Sequence, residues 1–316
     1  MTITTQPVIE ITGLRKTYGD TVAVDNVSLQ VQPGEIFGVL GPNGAGKTTT
    51  VECLAGLRTA DAGTVRILGR DPQRDPASVR EVLGIQLQSS RLPAKITVAE
   101  ALRLYASFYA DPADADELLT LLGLHDKRHT KFEALSGGQQ QRLSIALALI
   151  GNPHVAILDE LTTGLDPQAR RDTWKLVEQV RSRGVTIVLV THFMEEAERL
   201  CDRLAIIDRG RIVAEGAPAA LIADLEEERT FRMRLSEALD EQVLHNLADV
   251  DQVRHVGHEI EVSGSRTVLP STLLALAELD IVPDEIRTLN RSLEDVFVAT
   301  TGRELSVVDA DSEVSA

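Results

Sequence analysis

Hydrophobic and polar residues alternate along the start of the chain. The alternation covers 8–12 and 22–31, and turn residues lie at 19–20 and 33–34. A period of two is typical of strands with one buried face, so these segments predict antiparallel strands. The continuous apolar run Ile36–Leu40 follows and predicts a fully buried strand.

Further along, the apolar spacing changes from strand-like to helical. Apolar residues at helical spacing fill 98–109 and 115–124, which predicts a helical subdomain inserted between strands of a core. Continuous apolar runs return at 155–158 and 185–190 and predict two more buried strands. The predicted fold class is therefore α/β, with a mixed core sheet, an antiparallel β subdomain and an inserted helical subdomain.

Past Pro218 the pattern restarts and predicts a small α+β domain. Its segments include a helix over 237–247 and a strand over 253–262. No catalytic combination of residues is found there, so a regulatory or assembly role is expected. The predicted domains are a main domain over 8–217, with its helical subdomain at about 89–152, an accessory domain over 225–304 and a tail over 305–316.

Composition excludes several classes of function. The formal net charge of −16 is the wrong sign for binding a nucleic-acid backbone, so no nucleic-acid partner is expected. No apolar stretch approaches the roughly 18 residues needed to span a bilayer, so any membrane role is expected to work through a partner. The two cysteines, Cys53 and Cys201, are too few for a disulfide framework and are predicted to be buried in a protein of the reducing cytosol.

A glycine-rich segment joins the Ile36–Leu40 strand to a helix predicted over 49–57. Its glycines let successive backbone N–H groups point at phosphate oxygens, and the helix N-terminus adds partial positive charge. Lys47 adds a full charge, and the Thr48 hydroxyl is placed to ligate Mg²⁺. The predicted nucleotide-binding residues are Gly41, Pro42, Asn43, Gly44, Ala45, Gly46, Lys47, Thr48 and Thr49.

A second candidate anion site begins at Ser136. This residue is a natural N-cap for the helix whose apolar face carries Leu143, Ala146 and Leu147, and glycines at its start leave the N-terminus open to an anion. The residues of this second site are Ser136, Gly137, Gly138 and Gln139. An ordinary kinase or GTPase does not need two such elements.

Polar residues also follow two of the predicted buried strands. Asp159 and Glu160 end one strand, and His192 follows the next. Ligands of open α/β sheets bind at these strand ends, so Asp159 is predicted to reach the Mg²⁺ shell, and Glu160 to position and deprotonate a water. His192 can hydrogen-bond a γ-phosphate, and Tyr18, interpreted as a turn residue, offers an aromatic platform for a base.

Together these motifs resemble the ATP-binding cassette of an ABC transporter, a P-loop NTPase. The match covers 8–216, with every motif in the expected order. The matching elements are the adenine-stacking aromatic at Tyr18, the Walker A loop at Gly41–Thr48, the Q-loop at Gln88, the LSGGQ signature at Leu135–Gln139, Walker B with its catalytic glutamate at Val155–Glu160, the D-loop at Leu161–Asp166 and the switch histidine at His192.

The resemblance implies cofactors and further site residues. ATP and Mg²⁺ are the expected cofactors, and the enzyme activity is ATP hydrolysis coupled to transport. Gln88 is implied as a catalytic residue and, with Thr48 and Asp159, as a metal ligand, while Asp166 is implied to contact nucleotide. One position departs from the family, which commonly has proline where Leu161 follows the glutamate, so the geometry of this D-loop is left open.

The resemblance also implies partners and a location. Only one cassette is present, so two copies are expected to form a homodimer that encloses two ATP·Mg²⁺ between the Walker A side of one and the signature helix of the other. A separate transmembrane permease subunit is expected to dock a coupling helix within 89–109. The chain would then lie at the cytoplasmic side of the cell membrane, held there by that subunit.

Weaker similarity indicates the type of transporter. Thr191–Glu198 and Ser292–Phe297, with Thr301–Arg303 after it, are similar to exporter ATPases of the daunorubicin-resistance type, which implies efflux of a drug-like or other small hydrophobic substrate. An importer ATPase is the main alternative. A soluble, non-transport ABC ATPase and a non-hydrolysing regulatory subunit also remain open, although the acidic charge disfavours the former and Glu160 with His192 disfavour the latter.

Overall fold

The structure is a computed structural model, and it describes residues 6–87, 92–225, 229–236, 239–289 and 291–303. Its contacts divide the chain into two compact units, with the division between Pro218 and Ala219. The main unit comprises the described residues up to Pro218 together with Arg303, and the second unit spans Ala219–Gly302. All predicted site residues that the structure describes belong to the main unit.

The strands of the main unit form two sheets. The core sheet has the strand order β5-β6-β7-β3-β8-β9, parallel except for β9, and the other sheet is antiparallel with the order β2-β1-β4. This arrangement confirms the predicted fold class. The strands are β1 (Ile9–Tyr18), β2 (Thr21–Val31), β3 (Ile36–Leu40), β4 (Ala62–Ile67), β5 (Leu83–Gln86), β6 (Val155–Asp159), β7 (Thr186–Thr191), β8 (Arg203–Asp208) and β9 (Arg211–Gly216).

The helices of the main unit include three that lie between β5 and β6 in the chain, where the helical subdomain is predicted. Both cysteines are buried and free, as predicted. The helices are α1 (Lys47–Leu54), α2 (Pro76–Arg80), α3 (Val98–Ala106), α4 (Ala115–Leu121), α5 (Gly137–Leu149), α6 (Pro167–Ser182) and α7 (Met194–Leu200), with short 3-10 helices at His125–Lys127 and Phe132–Ala134.

Two of these helices are not predicted from the sequence. The helix α2 has only five residues, although Asp75 caps it by accepting a hydrogen bond from the Ser78 N–H and Pro76 lies in its first turn. The helix α7 follows Phe193, whose side chain makes no capping hydrogen bond. A short helix, or one without a capping side chain, leaves little signal in the sequence.

The second unit has a four-stranded antiparallel sheet with the order β11-β12-β10-β13. Strands and helices alternate as βαββαβ, the split βαβ arrangement. The strand predicted over 253–262 is wrong, because Gly257 turns the chain at a φ of 64° and two paired strands form instead. The elements from Pro218 onward are α8 (Pro218–Ala223), β10 (Arg229–Arg234), α9 (Gln242–His245), β11 (Val250–Val256), β12 (Glu259–Gly264), α10 (Val268–Glu278), β13 (Glu285–Leu289) and α11 (Leu293–Thr301).

The parallel strands of the core sheet bring the predicted catalytic residues to one edge. The strands β3, β6 and β7 are buried along their whole length. In register, Leu40 of β3 pairs with Thr191 of β7, and Asp159 of β6 pairs with Val190. The chain segments that leave these carboxyl ends therefore start side by side, which is where α/β sheets bind ligands.

Within the described part of the chain, no helix combines the length and the apolar character that crossing a bilayer requires.

Candidate active site

The glycines of the phosphate loop have different physical roles. Gly41, Gly44 and Gly46 have φ values of 153°, 77° and 105°, in the region that favours glycine. A Cβ atom on Gly41 would lie 2.2 Å from the Ile207 carbonyl oxygen, and one on Gly46 would lie 2.3 Å from the Ala23 oxygen. Space around the Cβ position of Gly44 is open within 4 Å. Packing therefore fixes the ends of the loop, and its middle is accessible to a ligand.

Lys47 begins α1 and is held by the loop that precedes it. Its Nζ donates hydrogen bonds to the carbonyl oxygens of Gly41, at 2.7 Å, and Pro42, at 3.0 Å. Burial lowers the pKa of Lys47, while the carboxylates of Glu160 and Asp159 oppose that shift. A buried ammonium group that carbonyl oxygens of the loop hold in place is suited to bind an anion.

Asp159 is a buried carboxylate, and one of its oxygens has no hydrogen-bond partner among the described residues. Its side chain is inaccessible, and the oxygen in question is Oδ1. The Asp159 backbone N–H donates to Gln86 Oε1 at 3.0 Å. Burial and then repulsion by Glu160 raise the pKa of Asp159 to about 6, against the attraction of Lys47. An unpartnered carboxylate oxygen that is costly to bury fits a hard divalent cation.

Thr48 and Thr49, which follow Lys47 in the first turn of α1, complete the loop. Thr48 is exposed and Thr49 is half-buried. Hydroxyl oxygens are suitable ligands for Mg²⁺, so Thr48 and Asp159 together supply the oxygen donors that such a site needs. Gln88, the third residue expected to hold the metal, lies outside the described residues.

Glu160 and His192 form a hydrogen-bonded pair. His192 Nδ1 lies 3.2 Å from Glu160 Oε1, and because a carboxylate only accepts, Nδ1 is the donor. This hydrogen bond is the main reason that the pKa of Glu160 is lowered, so the carboxylate is charged at neutral pH. Glu160 has a φ of 49°, which a non-glycine residue rarely adopts, and its N–H is held by the Val190 carbonyl oxygen at 2.9 Å. Strained conformations of this kind concentrate at functional sites.

The ring of His192 also contacts a neighbouring aromatic ring. Its centroid lies 4.0 Å from that of Phe193, and the guanidinium carbon of Arg170 lies 4.8 Å from the Phe193 ring. Contact with a tilted ring that itself carries a cation restricts rotation of both aromatic side chains. These contacts, together with the hydrogen bond to Glu160, hold the orientation of the histidine ring.

The D-loop, Leu161–Asp166, connects this pair to α6. Leu161 is buried, and Gly164 has a φ of 74°. Asp166 caps α6, since its Oδ1 accepts from the N–H groups of Gln168 and Ala169, each at 2.9 Å. The side chain of Leu161 is thus accommodated in the core, and within one chain Asp166 has a structural role at the start of a helix.

The Ser136 segment has the predicted form of a capped helix N-terminus. The Ser136 hydroxyl accepts from the Gln139 N–H at 3.3 Å, and Gln139 Oε1 accepts from the Ser136 N–H at 3.0 Å, which is a capping box. Space at the Cβ position of Gly137 is open, and that of Gly138 lies 3.6 Å from Ala169 Cβ. The main contacts of α5 are with β5, α3, α4, α6 and β6. This second anion element is therefore built on elements other than the phosphate loop.

Tyr18 differs in one respect from its interpretation in the sequence. It is the last residue of strand β1, paired with Thr21, rather than a turn residue. The ring is 41% exposed, and Lys16 Nζ and the Arg58 guanidinium carbon lie 5.6 and 5.3 Å from its centroid. An accessible aromatic ring flanked by cations is suited to stacking with a nucleotide base.

Two residues near the site are missed by reasoning from the sequence. Gln86 orients Asp159 through its backbone, and a polar residue inside the apolar run 82–87 is the signal that could have indicated it. Glu196 is fully buried and accepts a hydrogen bond from Trp174 Nε1 at 3.1 Å. Its position in an unpredicted helix, α7, concealed that it faces the core.

The chain is similar in sequence to known proteins of one family. The sequence model of the family described as ABC transporter matches residues 24–163. The chain is 39% identical to the Nod factor export ATP-binding protein I of Paraburkholderia xenovorans, over 94% of this chain and 98% of that protein. It is 38% identical to the protein of the same name from Ralstonia nicotianae, over 95% of each chain.

Solved structures of similar fold have related descriptions. One is an ATP-binding subunit of an ABC transporter, with a TM-score of 0.62 and 28% identity over 69% of this chain and 92% of that chain. Another is a dimeric post-hydrolysis state of an ATP-binding cassette bound to ADP and phosphate, with a TM-score of 0.59 and 26% identity over 66% of this chain and 98% of that chain.

Proposed function

The chain belongs to the ATP-binding subunits of ABC transporters, and on that premise we propose that it is the ATPase that powers export of a small substrate through a separate membrane subunit. ATP binding and hydrolysis follow from membership of the family. The direction is supported by relatives that share nearly the full length of the chain and are described as export ATP-binding proteins. The similarity of Thr191–Glu198 to drug exporters favours a drug-like or other small hydrophobic substrate.

The observation that carries the catalytic proposal is the position of the Glu160–His192 pair beside Lys47 and Asp159. Both carboxylates act electrostatically on Lys47, and His192 is hydrogen-bonded to Glu160, so the four side chains lie within one site. Glu160 is charged at neutral pH and accepts the proton of a water that attacks the γ-phosphorus of ATP. The bond from the γ-phosphorus to the oxygen bridging to the β-phosphate breaks, and ADP leaves with that electron pair. Lys47 and His192 stabilise the phosphate oxygens.

We assign the magnesium-holding role to Thr48 and Asp159, and Gln88 is expected to join them. The buried Asp159 Oδ1 without a protein partner supports this assignment. When bound, Mg²⁺ would neutralise charge on the phosphates of ATP. The phosphate loop would orient the nucleotide through its backbone N–H groups, and Tyr18 would stack with adenine.

The accessible signature segment supports a functional homodimer. ABC ATPase subunits work as dimers with a membrane permease. In this chain the N-terminus of α5 is open at Gly137, yet α5 packs on elements other than the phosphate loop. A second copy is proposed to bring Ser136, Gly137, Gly138 and Gln139 to the nucleotide held by the first, with Asp166 near the same interface.

A cavity of the main unit is the proposed docking site of the permease, which would hold the chain at the cytoplasmic side of the membrane. The cavity has a volume of about 490 Å³ and lies between the segment after β5 and helix α5. Its lining is both apolar and polar, which suits an amphipathic helix of a partner. In the segment predicted to dock that helix, Leu104 and Phe108 are 47% and 70% exposed. The lining residues are Gln86, Leu87, Leu92, Ala94, Phe132, Glu133, Gly137, Gln140, Gln141 and Ser144.

Reconstitution tests the direction of transport. The chain would be purified with the membrane protein encoded by the adjacent reading frame and inserted in liposomes with the ATPase outside. ATP·Mg²⁺ added outside is expected to drive a fluorescent hydrophobic amine into the lumen, and the Glu160→Gln complex is the control. Release of preloaded dye on addition of ATP would instead establish import. If that membrane protein did not copurify with the chain, its proposed role as the permease partner would be refuted.

A further inference from the structure

A buried carboxylate lies among side chains from the elements that carry the catalytic pair. Glu196 of α7 is fully buried, and its Oε1 accepts a hydrogen bond from Trp174 Nε1 of α6 at 3.1 Å. Thr162 of the D-loop and Thr191 at the end of β7 are also fully buried. We call these four residues, Thr162, Trp174, Thr191 and Glu196, the Glu196 cluster.

The hydrogen bonding of the Glu196 cluster is incomplete. Glu196 Oε2 and the Thr162 hydroxyl oxygen both lack a partner in bonding geometry among the described residues. The Thr191 hydroxyl oxygen accepts from the Phe193 N–H at 3.0 Å, which leaves its own proton to donate. Buried polar groups without partners are uncommon and costly, so two in one cluster require an explanation.

The two hydroxyls are close enough to Glu196 to act on its ionisation. Burial raises the pKa of Glu196, and the Thr191, Trp174 and Thr162 side chains oppose that shift. Each threonine O–H is a donor and the carboxylate is an acceptor, so the unpartnered atoms are chemically complementary. A hydrogen bond from the Thr162 hydroxyl to Glu196 Oε2 would satisfy both of the unpartnered atoms.

The cluster is connected by sequence to both members of the catalytic pair. Thr162 lies two residues after Glu160, whose backbone is strained, and Thr191 directly precedes His192. Trp174 belongs to α6, and Ala169 of the same helix lies beside Gly138 of the signature segment. The buried Glu196 carboxylate thus lies near the segment that follows Glu160 and the segment that precedes His192. It is also bonded to α6, the helix that lies beside Gly138.

We infer that Glu196 is a positioning residue for ATP hydrolysis, which sets the distance between Glu160 and His192 by hydrogen bonding to Thr162 and Thr191. The inference deepens the proposed function and rests on the catalytic role given there to Glu160 and His192. Glu196 does not touch the reacting atoms. It acts through the backbone segments that carry Glu160 and His192.

Steady-state kinetics of the full chain with ATP·Mg²⁺ tests the inference. Glu196→Gln keeps an acceptor for Trp174 and places an amide N–H₂ opposite the threonine hydroxyls, and Thr162→Val removes one of those hydroxyls. Each variant is expected to lower kcat about tenfold and to leave KM for ATP within about twofold, because the residues that bind nucleotide are unchanged. The matched control is Thr272→Val, which removes another fully buried hydroxyl without a partner, in the second unit.

The NMR chemical shift of His192 is a second readout, which does not change when a variant is merely less stable. The chain has seven histidines, and the His192 signal is assigned by its disappearance in His192→Ala. Glu196→Gln and Thr162→Val are expected to shift the Nδ1 resonance of His192 toward the value of an unbonded imidazole, whereas Thr272→Val leaves it in place. Melting temperatures show whether each variant is folded. If Glu196→Gln does not fold, the result for Thr162→Val decides the test.

Several results would overturn the inference. These are a kcat equal to that of Thr272→Val, a loss carried mainly by KM, or a fall in kcat with an unmoved His192 signal. They differ from failure of the proposed function, in which the wild-type chain, alone and with its permease, would not hydrolyse ATP.

Discussion

At the scale of single residues, the site depends on charges that are costly to keep without a ligand. Lys47 and Asp159 are both buried. Burial lowers the pKa of Lys47 and raises that of Asp159, so it favours the neutral form of each group. Each partly compensates the other, and a bound nucleotide with its cation would compensate both more completely. The site is thus prepared for a charged ligand at the expense of the stability of the free protein.

Replacement of Lys47 tests the role of its charge. Lys47→Ala removes charge-assisted hydrogen bonds to phosphate, each of which contributes about 1.5–3 kcal/mol, so ATP affinity is expected to fall at least about tenfold. Isothermal titration calorimetry measures the affinity. Lys175→Ala on the exposed side of α6 is the control and is expected to bind normally. Unchanged affinity in Lys47→Ala would refute the assignment of the phosphate loop.

Asp159 predicts a pH dependence of stability without nucleotide. Its folded pKa, about 6, is above the ordinary value of 3.8, so the folded state holds the proton more tightly than the unfolded state. Its contribution to the unfolding free energy therefore declines as pH rises through that window, by up to about 3 kcal/mol. Urea denaturation of Asp159→Asn in EDTA is expected to lack this decline. A wild-type and a variant curve that run parallel from about pH 4 to 7 would contradict it.

At the scale of elements, two helices begin with the same kind of cap, and only one of them is proposed to bind nucleotide. Ser136 begins α5 and Thr97 begins α3, each with a capping box to the side chain three residues later. Substitution of an N-cap by alanine removes a hydrogen bond to a backbone N–H and costs about 1 kcal/mol. The structural cost of the two substitutions is therefore expected to be similar.

Comparison of alanine variants at the two N-caps separates a structural role of Ser136 from a catalytic one. Ser136→Ala and Thr97→Ala are expected to lower the melting temperature by similar amounts. Only Ser136→Ala is expected to lower ATPase activity, by about tenfold, because the start of α5 is proposed to bind the nucleotide held by a second copy. Equal activity in the two variants would remove the signature segment from the proposed site.

At the scale of the whole molecule, the two anion elements of one chain serve different nucleotides only if two copies assemble. The phosphate loop belongs to the β3–α1 connection, and the signature segment belongs to α5, which packs on β5 and on the helices around it. Differential binding of ATP and of its hydrolysis products to the assembled state would then switch the assembly on and off.

Glu160→Gln tests that assembly. The variant keeps the shape of the side chain and cannot accept the proton from water, so ATP is expected to bind and hydrolysis to fall at least about a hundredfold. Trapped ATP should then hold two copies together, which size-exclusion chromatography with light scattering detects as a doubled mass. ADP is the control ligand. A monomer at saturating ATP and Mg²⁺ would contradict the proposed dimer.

Much of the fold follows from local patterns in the sequence. The predicted strand Ile36–Leu40 is confirmed residue for residue, and Ser136 is confirmed as an N-cap, because continuous burial and capping leave local signals. The helix α7 and the hairpin at Gly257 were not predicted. The first has no capping side chain, and in the second a single glycine separates two strands that form one apparent run.

The sequence by itself determined the α/β class, and it predicted the phosphate loop, the acidic strand end and the second anion element, since each depends on neighbouring residues. Only the tertiary structure decided that His192 bonds to Glu160, that Gln86 holds the backbone of Asp159 and that Glu196 lies buried against Trp174. These contacts join residues 22 to 73 positions apart. The order of strands in the sheet brings the first two pairs together, and the packing of α6 against α7 brings the third together. No local pattern of side chains encodes either arrangement.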